Sequence, residues 1–221
     1  MLNSGNAIRA LLFADVQVQD RLVISPILDW DAQLQGGSGS IDLRLGSTFR
    51  VTRRSQVLSL DPFDRERYEI NKAKYVEEIY VEIGRRFILH PQQFALGITL
   101  EWVRLPKNLA GFIIGRSTWG RDGLVIETAA GVHPGYSGNL TLELTNVGDV
   151  PLILYPGLAY AQLFIFDVKQ SEAATGELSA YLGTTAPKSG MIQKDTVTQV
   201  IENLIKQRKN IPISTSDDLL K

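Results

Sequence analysis

The feature that most constrains the fold of this sequence is a period of two in its apolar residues. Between residues 87 and 168, short runs rich in Val, Ile, Leu, Thr and Phe are separated by Gly or Pro at intervals of about ten residues. Such spacing indicates a β-sandwich, jelly roll or barrel, because βαβ units would interleave strands with helices. The predicted strands are 40–50, 94–102, 110–114, 124–129, 139–146, 152–154 and 162–168.

Helices are predicted only toward the two ends of the chain. Residues 6–13 fit a short helix that Ser4 or Asn3 can cap. A second helix is predicted from about Asp195, because five apolar residues recur there at helical spacing and form one stripe. They are Val197, Val200, Ile201, Leu204 and Ile205. Burial of this stripe requires either the chain's own β domain or a second subunit. Segments 35–40 and 175–190 read as loops, and 211–221 as a frayed tail.

Composition and charge exclude several classes of protein. The chain of 221 residues carries 23 Lys and Arg against 24 Asp and Glu, which argues against binding of nucleic acid or membrane by bulk electrostatics. The absence of Cys excludes disulfides, iron–sulfur clusters, thiolate zinc sites and a cysteine nucleophile. The two His, His90 and His133, are far apart in the sequence, which leaves only a carboxylate-rich metal site open. No apolar run suffices for a signal peptide or a membrane span, so we expect one soluble, cytoplasmic domain with at most a small appendage.

The segment 115–121, GRSTWGR, is the densest group of candidate ligand-binding residues. It follows the apolar strand at 110–114 and places Arg116 and Arg121 around two hydroxyl groups and flexible glycines. Guanidinium groups match phosphate oxygens two at a time, and hydroxyl and backbone N–H groups can satisfy the remaining oxygens. The pattern therefore fits a polyphosphate site, with a tight turn that bears surface ion pairs as the alternative.

A second candidate is the hairpin at 129–146, AAGVHPGYSGNLTLELTN. Its strand alternates strictly, with Leu residues on one face and Thr141, Glu143 and Thr145 on the other. If Glu143 lines an aliphatic cavity, desolvation raises its pKa and suits it to carry protons near neutral pH. The alternative is a solvated carboxylate on the outer face of a sheet. Tyr136 is by default a core or rim aromatic.

Taken in order, these motifs resemble those of the dCTP deaminase family, within the trimeric dUTPase superfamily. SIDLRLG at 40–46 is similar to the first family motif, and GRSTWGRDGL at 115–124 to its phosphate loop. GVHPGYSGNLTLELTNVG at 131–148 resembles the nucleoside-binding hairpin with its catalytic strand, and PLILYPGLAYAQLFIF at 151–166 the strand pair that follows. The opening MLNSGNAIRALL resembles the family's N-terminal helix. The resemblance spans residues 1–190 and implies a mainly β, dUTPase-like distorted barrel or jelly roll with short edge helices. Residues 191–221 would form a C-terminal helical extension and tail.

The resemblance implies hydrolytic removal of the 4-amino group of dCTP to give dUTP and ammonia without zinc, whose deaminase sites need thiolate ligands. Glu143 would be the general acid and base, and Ser117 and Arg121 would position the attacking water. The triphosphate would carry Mg²⁺ without direct protein ligands, and would contact Arg116, Ser117, Thr118, Trp119, Gly120 and Arg121. The nucleoside would contact Ala130, His133, Tyr136, Thr141, Leu142, Glu143 and, from a lid, Tyr181, with Tyr136 beneath the deoxyribose. Three subunits would close three shared sites in a homotrimer, with a deoxycytidine nucleotide as substrate and no nucleic acid or membrane partner.

Two departures from the family pattern keep alternatives open. His133 stands near the position where the family carries an Asp toward the sugar 3′-hydroxyl, and one residue is deleted upstream. The lid has Ala180 and Tyr181 followed by Thr184, where the family offers Lys, Tyr and then Gln. One alternative is a combined enzyme that also forms dUMP and pyrophosphate, and another is a nucleotide-binding regulator without turnover. A pure dUTPase is disfavoured, because Glu143 stands where its strand would carry an apolar residue.

Overall fold

The computed structural model describes residues 1–34, 38–52, 60–61, 63, 65–127, 130–169, 183, 185–187 and 196–209. The predicted loop segment 175–190 lies largely outside these residues, and residues 35–37 and the tail 211–221 lie wholly outside them. The elements in chain order are α1 Gly5–Leu12, a 3₁₀ turn Val18–Asp20, β1 Val23–Ser25, α2 Trp30–Gln33, β2 Ser40–Arg44, β3 Thr48–Thr52, α3 Arg65–Tyr75, β4 Val76–Tyr80, β5 Phe87–Leu89, β6 Phe94–Arg104, β7 Leu109–Gly115, α4 Ser117–Gly120, β8 Leu124–Ile126, β9 Gly131–Val132, β10 Ser137–Asn146, β11 Leu152–Leu154, β12 Ala159–Asp167 and α5 Thr196–Lys209.

The strands form antiparallel sheets, which confirms the predicted mainly β class. The largest sheet has the order β4-β3-β6-β10-β8, with β1 also paired to β6. A second sheet has the order β2-β12-β7-β9, and β5 pairs with β11. The chain divides into two compact units, residues 1–55 with 75–188 and residues 56–74 with 189–221. The segment 56–74 was not separated from the β domain in the sequence prediction, which drew a single boundary at residue 190.

The core follows from the alternation seen in the sequence. Burial alternates along the whole of β10, where Leu142 and Leu144 are completely inaccessible to solvent. Leu163 and Ile165 of β12 are equally buried and belong to the same apolar cluster. Full burial of one such side chain contributes roughly 1.5–3 kcal/mol relative to exposure. Apolar residues at every second position therefore hold the two larger sheets together.

The strand predicted at 40–50 is wrong as a single element, because the chain changes sheets within it. β2 pairs with β12, whereas β3 pairs with β4 and β6. The corner lies at Gly46, whose N–H donates to the Ile98 carbonyl at 2.7 Å. A Cβ at this position would lie 3.0 Å from the same carbonyl oxygen and 3.2 Å from that of Thr99. Only a glycine lets the backbone pass this close to β6 without a shift.

The two predicted helices, α1 and α5, are present, and three others, the four-residue α2 and α4 and the longer α3, were missed. Ser4 caps α1 by accepting a hydrogen bond from the Ala7 N–H at 3.3 Å, as the sequence predicted. α5 begins at Thr196, next to the predicted start, and its stripe residues Val197, Val200, Ile201 and Leu204 are exposed in this chain. Burial of that stripe stays a prediction. α3 was not predicted because its charged residues leave no apolar stripe. No helix among the described residues is both long and apolar enough to cross a membrane.

Candidate active site

The predicted phosphate-binding segment forms a tight turn that is anchored on β12. Arg116 follows β7, and its N–H donates to the Tyr160 carbonyl at 2.8 Å. The Trp119 Nε1 donates to the Ala159 carbonyl at 2.8 Å, and its ring lies 4.7 Å from the Tyr160 ring. Fixed on one side by these contacts, the turn exposes its other residues to solvent, namely Ser117, Thr118, Gly120 and Arg121.

Three backbone amides of this turn donate hydrogen bonds within the turn itself. The N–H groups of Trp119 and Gly120 donate to the Arg116 carbonyl at 3.1 and 3.2 Å, and that of Arg121 donates to the Ser117 carbonyl at 3.1 Å. These are the three amides for which the resemblance implied phosphate contacts. In this conformation the turn presents its guanidinium and hydroxyl side chains, rather than these three amides, to a phosphate.

Arg116 is held by a carboxylate that sequence reasoning did not include in the site. Its Nη1 lies 3.1 Å from Oδ2 of Asp42 on β2, and the Asp42 side chain is 13% exposed. The Gln162 Nε2 donates to the other oxygen, Oδ1, at 3.1 Å. Gln162 lies directly opposite Asp42 in the β2–β12 pair, so the sheet register brings the three side chains together. The signal in the sequence was an Asp on the polar face of an alternating strand.

The strand that carries Asp42 is itself fixed by a buried acid, Glu101. The Gln33 Nε2 donates both to the Asp42 carbonyl at 3.1 Å and to Glu101 Oε1 at 3.0 Å. The Arg44 N–H donates to Glu101 Oε2 at 2.8 Å. Glu101 has no solvent-accessible surface, and desolvation raises its pKa to about 7 although its hydrogen bonds and Arg44 act in the opposite direction. Only its place on the strand at 94–102 was predicted.

The prediction of a hairpin at 129–146 is wrong, because β9 pairs with β7 whereas β10 pairs with β6 and β8. The turn that connects β9 to β10 places its aromatic residue in the core. The Tyr136 N–H donates to the His133 carbonyl at 3.1 Å, which closes the turn and leaves the His133 side chain exposed. Tyr136 is 8% exposed, its hydroxyl donates to the Asn139 carbonyl at 2.7 Å, and burial raises its pKa to about 12. The Ala130 carbonyl accepts from the Ile113 N–H at 2.9 Å. The role of Tyr136 beneath a sugar stays a prediction.

Glu143 lies on the outer face of β10, as the alternation predicted. It is half-buried, with Thr141 on the same face and Leu96 of β6 directly opposite. Desolvation raises the pKa of its carboxyl group, and the negative charge of Glu127 raises it further. The Leu142 side chain points into the core, so only its main chain is available to a nucleotide on this face. The environment of Glu143 is therefore neither fully solvated nor sealed.

One short segment connects the phosphate turn to Glu143. After α4 the chain enters β8, which pairs with β10 at Leu144 and Thr145. The predicted lid residue Tyr181 lies outside the described residues, but the Gly183 N–H donates to the Ser137 carbonyl at 2.7 Å, at the start of β10. Within the described part of the chain, no three His, Asp or Glu side chains are grouped as metal ligands.

Fold and site together define a mainly β protein with a candidate phosphate-binding turn after one sheet and a half-buried carboxyl group on the other. A solved 2′-deoxycytidine 5′-triphosphate deaminase from Agrobacterium tumefaciens has the same fold, with a TM-score of 0.53 at 24% identity, and the match covers 73% of this chain and 45% of that chain. The family model described as dCTP deaminase-like matches residues 4–168.

Curated relatives agree with the family model. A dCTP deaminase from Natronomonas pharaonis is 37% identical over 194 residues, which is 84% of this chain and 96% of the relative. A dUMP-forming dCTP deaminase from Methanosphaera stadtmanae is 37% identical over 183 residues, or 80% of this chain and 89% of the relative. The chain is therefore an enzyme of the dCTP deaminase family.

Proposed function

We propose that this enzyme hydrolyses dCTP to dUTP and ammonia, with Glu143 as the general acid and base. The observation that carries the proposal is the environment of Glu143, a half-buried carboxyl group with a raised pKa beside the predicted nucleoside hairpin. A carboxyl group whose pKa is raised above its usual value is a better proton acceptor than an exposed glutamate and can still return the proton. Family membership supplies the reaction class.

In the proposed reaction, the oxygen of a water molecule attacks C4 of the cytosine while Glu143 accepts a proton from that water. Glu143 passes this proton to N3, and then accepts the proton of the new C4 hydroxyl group and delivers it to the amino group. The C4–N bond breaks, and ammonia leaves as the C4 carbonyl forms. Acid–base catalysis of this kind contributes about 10²–10⁴-fold in rate. Ser117 and Arg121, both exposed on the turn, would position the water and the developing tetrahedral centre.

The triphosphate would lie on the side chains of the turn, chiefly on Arg116. Asp42 holds this guanidinium from one side, while the Arg116 side chain remains 35% exposed. The donors presented by the turn are cationic or hydroxylic and suit phosphate oxygens, so Mg²⁺ would enter as part of the nucleotide complex. We also propose that the site is completed in a homotrimer, which light scattering would report as three copies.

A second candidate is an enzyme that also cleaves the product to dUMP and pyrophosphate. The relative from Methanosphaera stadtmanae, and others of similar identity, are named as dUMP-forming. A regulator without turnover is disfavoured because Glu143, Ser117 and Arg121 are all present.

One assay distinguishes these functions. Purified protein is incubated with dCTP and Mg²⁺, and ammonia and pyrophosphate are measured in parallel. Ammonia alone identifies the deaminase, both products identify the combined enzyme, and neither product with measurable nucleotide binding identifies a regulator.

The role of Glu143 has its own test. We expect Glu143→Gln to abolish release of ammonia while binding of dCTP persists, because the amide keeps the shape of the side chain but cannot carry the proton. Glu82→Gln, at an exposed position in the loop after β4, is the matched control and should retain wild-type turnover. Turnover by Glu143→Gln at the wild-type rate would exclude the proposed mechanism.

A further inference from the structure

The edge of the sheet next to Glu143 carries a second acid. β8 pairs with β10 in the register Leu144 opposite Ile126 and Thr145 opposite Val125. One step further along, this register places Glu127 opposite Glu143, and the Glu127 N–H donates to the Glu143 carbonyl at 3.0 Å. Directly opposed residues on neighbouring strands have Cβ atoms about 4.5–5.5 Å apart and point to the same face. Two carboxyl groups therefore face each other across the edge of the sheet.

The electrostatic repulsion between Glu127 and Glu143 lowers the stability of the folded chain. Directly opposed like charges in a sheet are destabilising, and at the exposed Glu127 position any uncharged residue would avoid this cost. The charged group facing Glu143 from the other direction is Arg50 of β3, which lies beyond Leu96. Arg50 is paired with Glu78 of β4, its Nε lying 3.3 Å from Oε2. The neighbours of Glu143 on its own strand face are uncharged threonines.

We propose that Glu127 acts through Glu143, as the carboxylate whose negative charge makes Glu143 a better acceptor for the proton of the attacking water. The inference rests on the proposed function for its catalytic consequence, but the electrostatic interaction itself does not depend on any substrate. Glu127 is a positioning residue in this scheme, because no step requires it to touch the nucleotide. Desolvation is the larger cause of the raised pKa of Glu143, and the opposed charge of Glu127 raises it further.

The segment after α4 thus contributes to the chemistry as well as to phosphate binding. Glu127 lies just after β8, six positions beyond Arg121. The same short stretch of chain therefore carries the proposed water-positioning arginine and the acid that adjusts the proposed proton carrier.

The test compares wild type, Glu127→Gln and the control Glu82→Gln without nucleotide. Glutamate side chains are labelled with ¹³C at the carboxyl carbon, and the NMR signal of Glu143 is assigned by its loss in Glu143→Gln. We expect the titration midpoint of Glu143 to move to lower pH in Glu127→Gln and to stay in place in Glu82→Gln. An unchanged midpoint in Glu127→Gln would overturn the proposal. Glu127 is exposed, so the substitution leaves the core intact.

A kinetic measurement then tests the catalytic consequence. The rate of ammonia release falls on the acid side of its pH profile as Glu143 becomes protonated, so this limb should shift to lower pH in Glu127→Gln. An NMR shift without a shift of the acid limb would overturn the catalytic part. Absence of ammonia release by the wild type would refute the proposed function instead, while the NMR result would still decide whether Glu127 acts on Glu143.

Discussion

Replacement of Glu101 by Gln should remove a pH dependence of stability that this one side chain creates. Glu101 is completely buried, and its pKa is raised from 4.5 to about 7 in the folded chain. The folded chain therefore holds the Glu101 proton over a range in which the unfolded chain releases it. Stability from this group is fully present below pH 4.5 and is lost as the pH rises through 7.

The size of the effect follows from the two pKa values. One pKa unit corresponds to about 1.4 kcal/mol, so the free energy of unfolding should fall by about 2–3 kcal/mol between pH 5 and pH 8 because of Glu101 alone. Gln keeps the acceptor for Gln33 but never ionises, so this part of the slope should disappear. The amide NH₂ group of the new Gln faces the Arg44 N–H, where Oε2 of Glu101 accepted a hydrogen bond. Two donors then face each other, which lowers the free energy of unfolding by about 1–3 kcal/mol at every pH.

The assay is unfolding by guanidinium chloride at a series of pH values and one fixed protein concentration, for wild type, Glu101→Gln and Glu82→Gln. The difference between wild type and Glu101→Gln isolates Glu101, because Glu143, whose raised pKa gives the same sign, contributes equally to both. Glu82→Gln should run parallel to wild type. Parallel curves for Glu101→Gln and wild type would show that Glu101 does not carry a proton in the folded chain.

Three further predictions concern the phosphate turn and the corner between sheets. Asp42→Asn should raise KM for dCTP about fivefold with a smaller change in kcat, because loss of one partly exposed charged contact to Arg116 costs about 1 kcal/mol; an unchanged KM would show that Arg116 needs no support. Arg116→Ala should lose affinity for dCTP more than it loses turnover, and calorimetric titration with normal affinity would place the phosphates elsewhere. Gly46→Ala should lower the free energy of unfolding by about 1–3 kcal/mol through the contact with the Ile98 carbonyl, whereas Gly120→Ala, whose Cβ would meet nothing within 4 Å, should not.

Periodicity predicted those elements whose burial depends on alternate residues. β10, β6 and β12 fit this description, and each was predicted to within a few residues of its observed ends. β2 and β3 were merged because the alternation continues from Ile41 to Leu45 and gives no sign that the chain leaves one sheet for another. Gly46 was the available signal, but a glycine shows its purpose only when the carbonyl that it approaches is known.

The candidate site also contains residues that the sequence predicted and residues that it did not. The turn with Arg116 and the outward position of Glu143 could be read from composition and alternation. Asp42, Gln162 and Glu127 could not, because each acquires its partner through strand register between distant segments. Register is fixed by the packing of the whole sheet, which a local pattern does not contain. Pairing of Glu101 with Gln33, separated by 68 residues, depends on the fold in the same way.

The turn connects the two larger sheets, and with them the proposed phosphate site and the proposed proton carrier. β7, which leads into the turn, belongs to the sheet with β12, whereas β8, which follows it, belongs to the sheet with β10. The crossing ends at Gly123, where φ is +92° and a Cβ would lie 3.0 Å from the Gly148 N, so the path of the chain there is narrowly constrained. A nucleotide that pulls on Arg116 or Arg121 therefore acts on a segment that is rigid at its far end. Because Gly123 separates the turn from β8, the strand register that places Glu127 opposite Glu143 need not change when a nucleotide binds the turn.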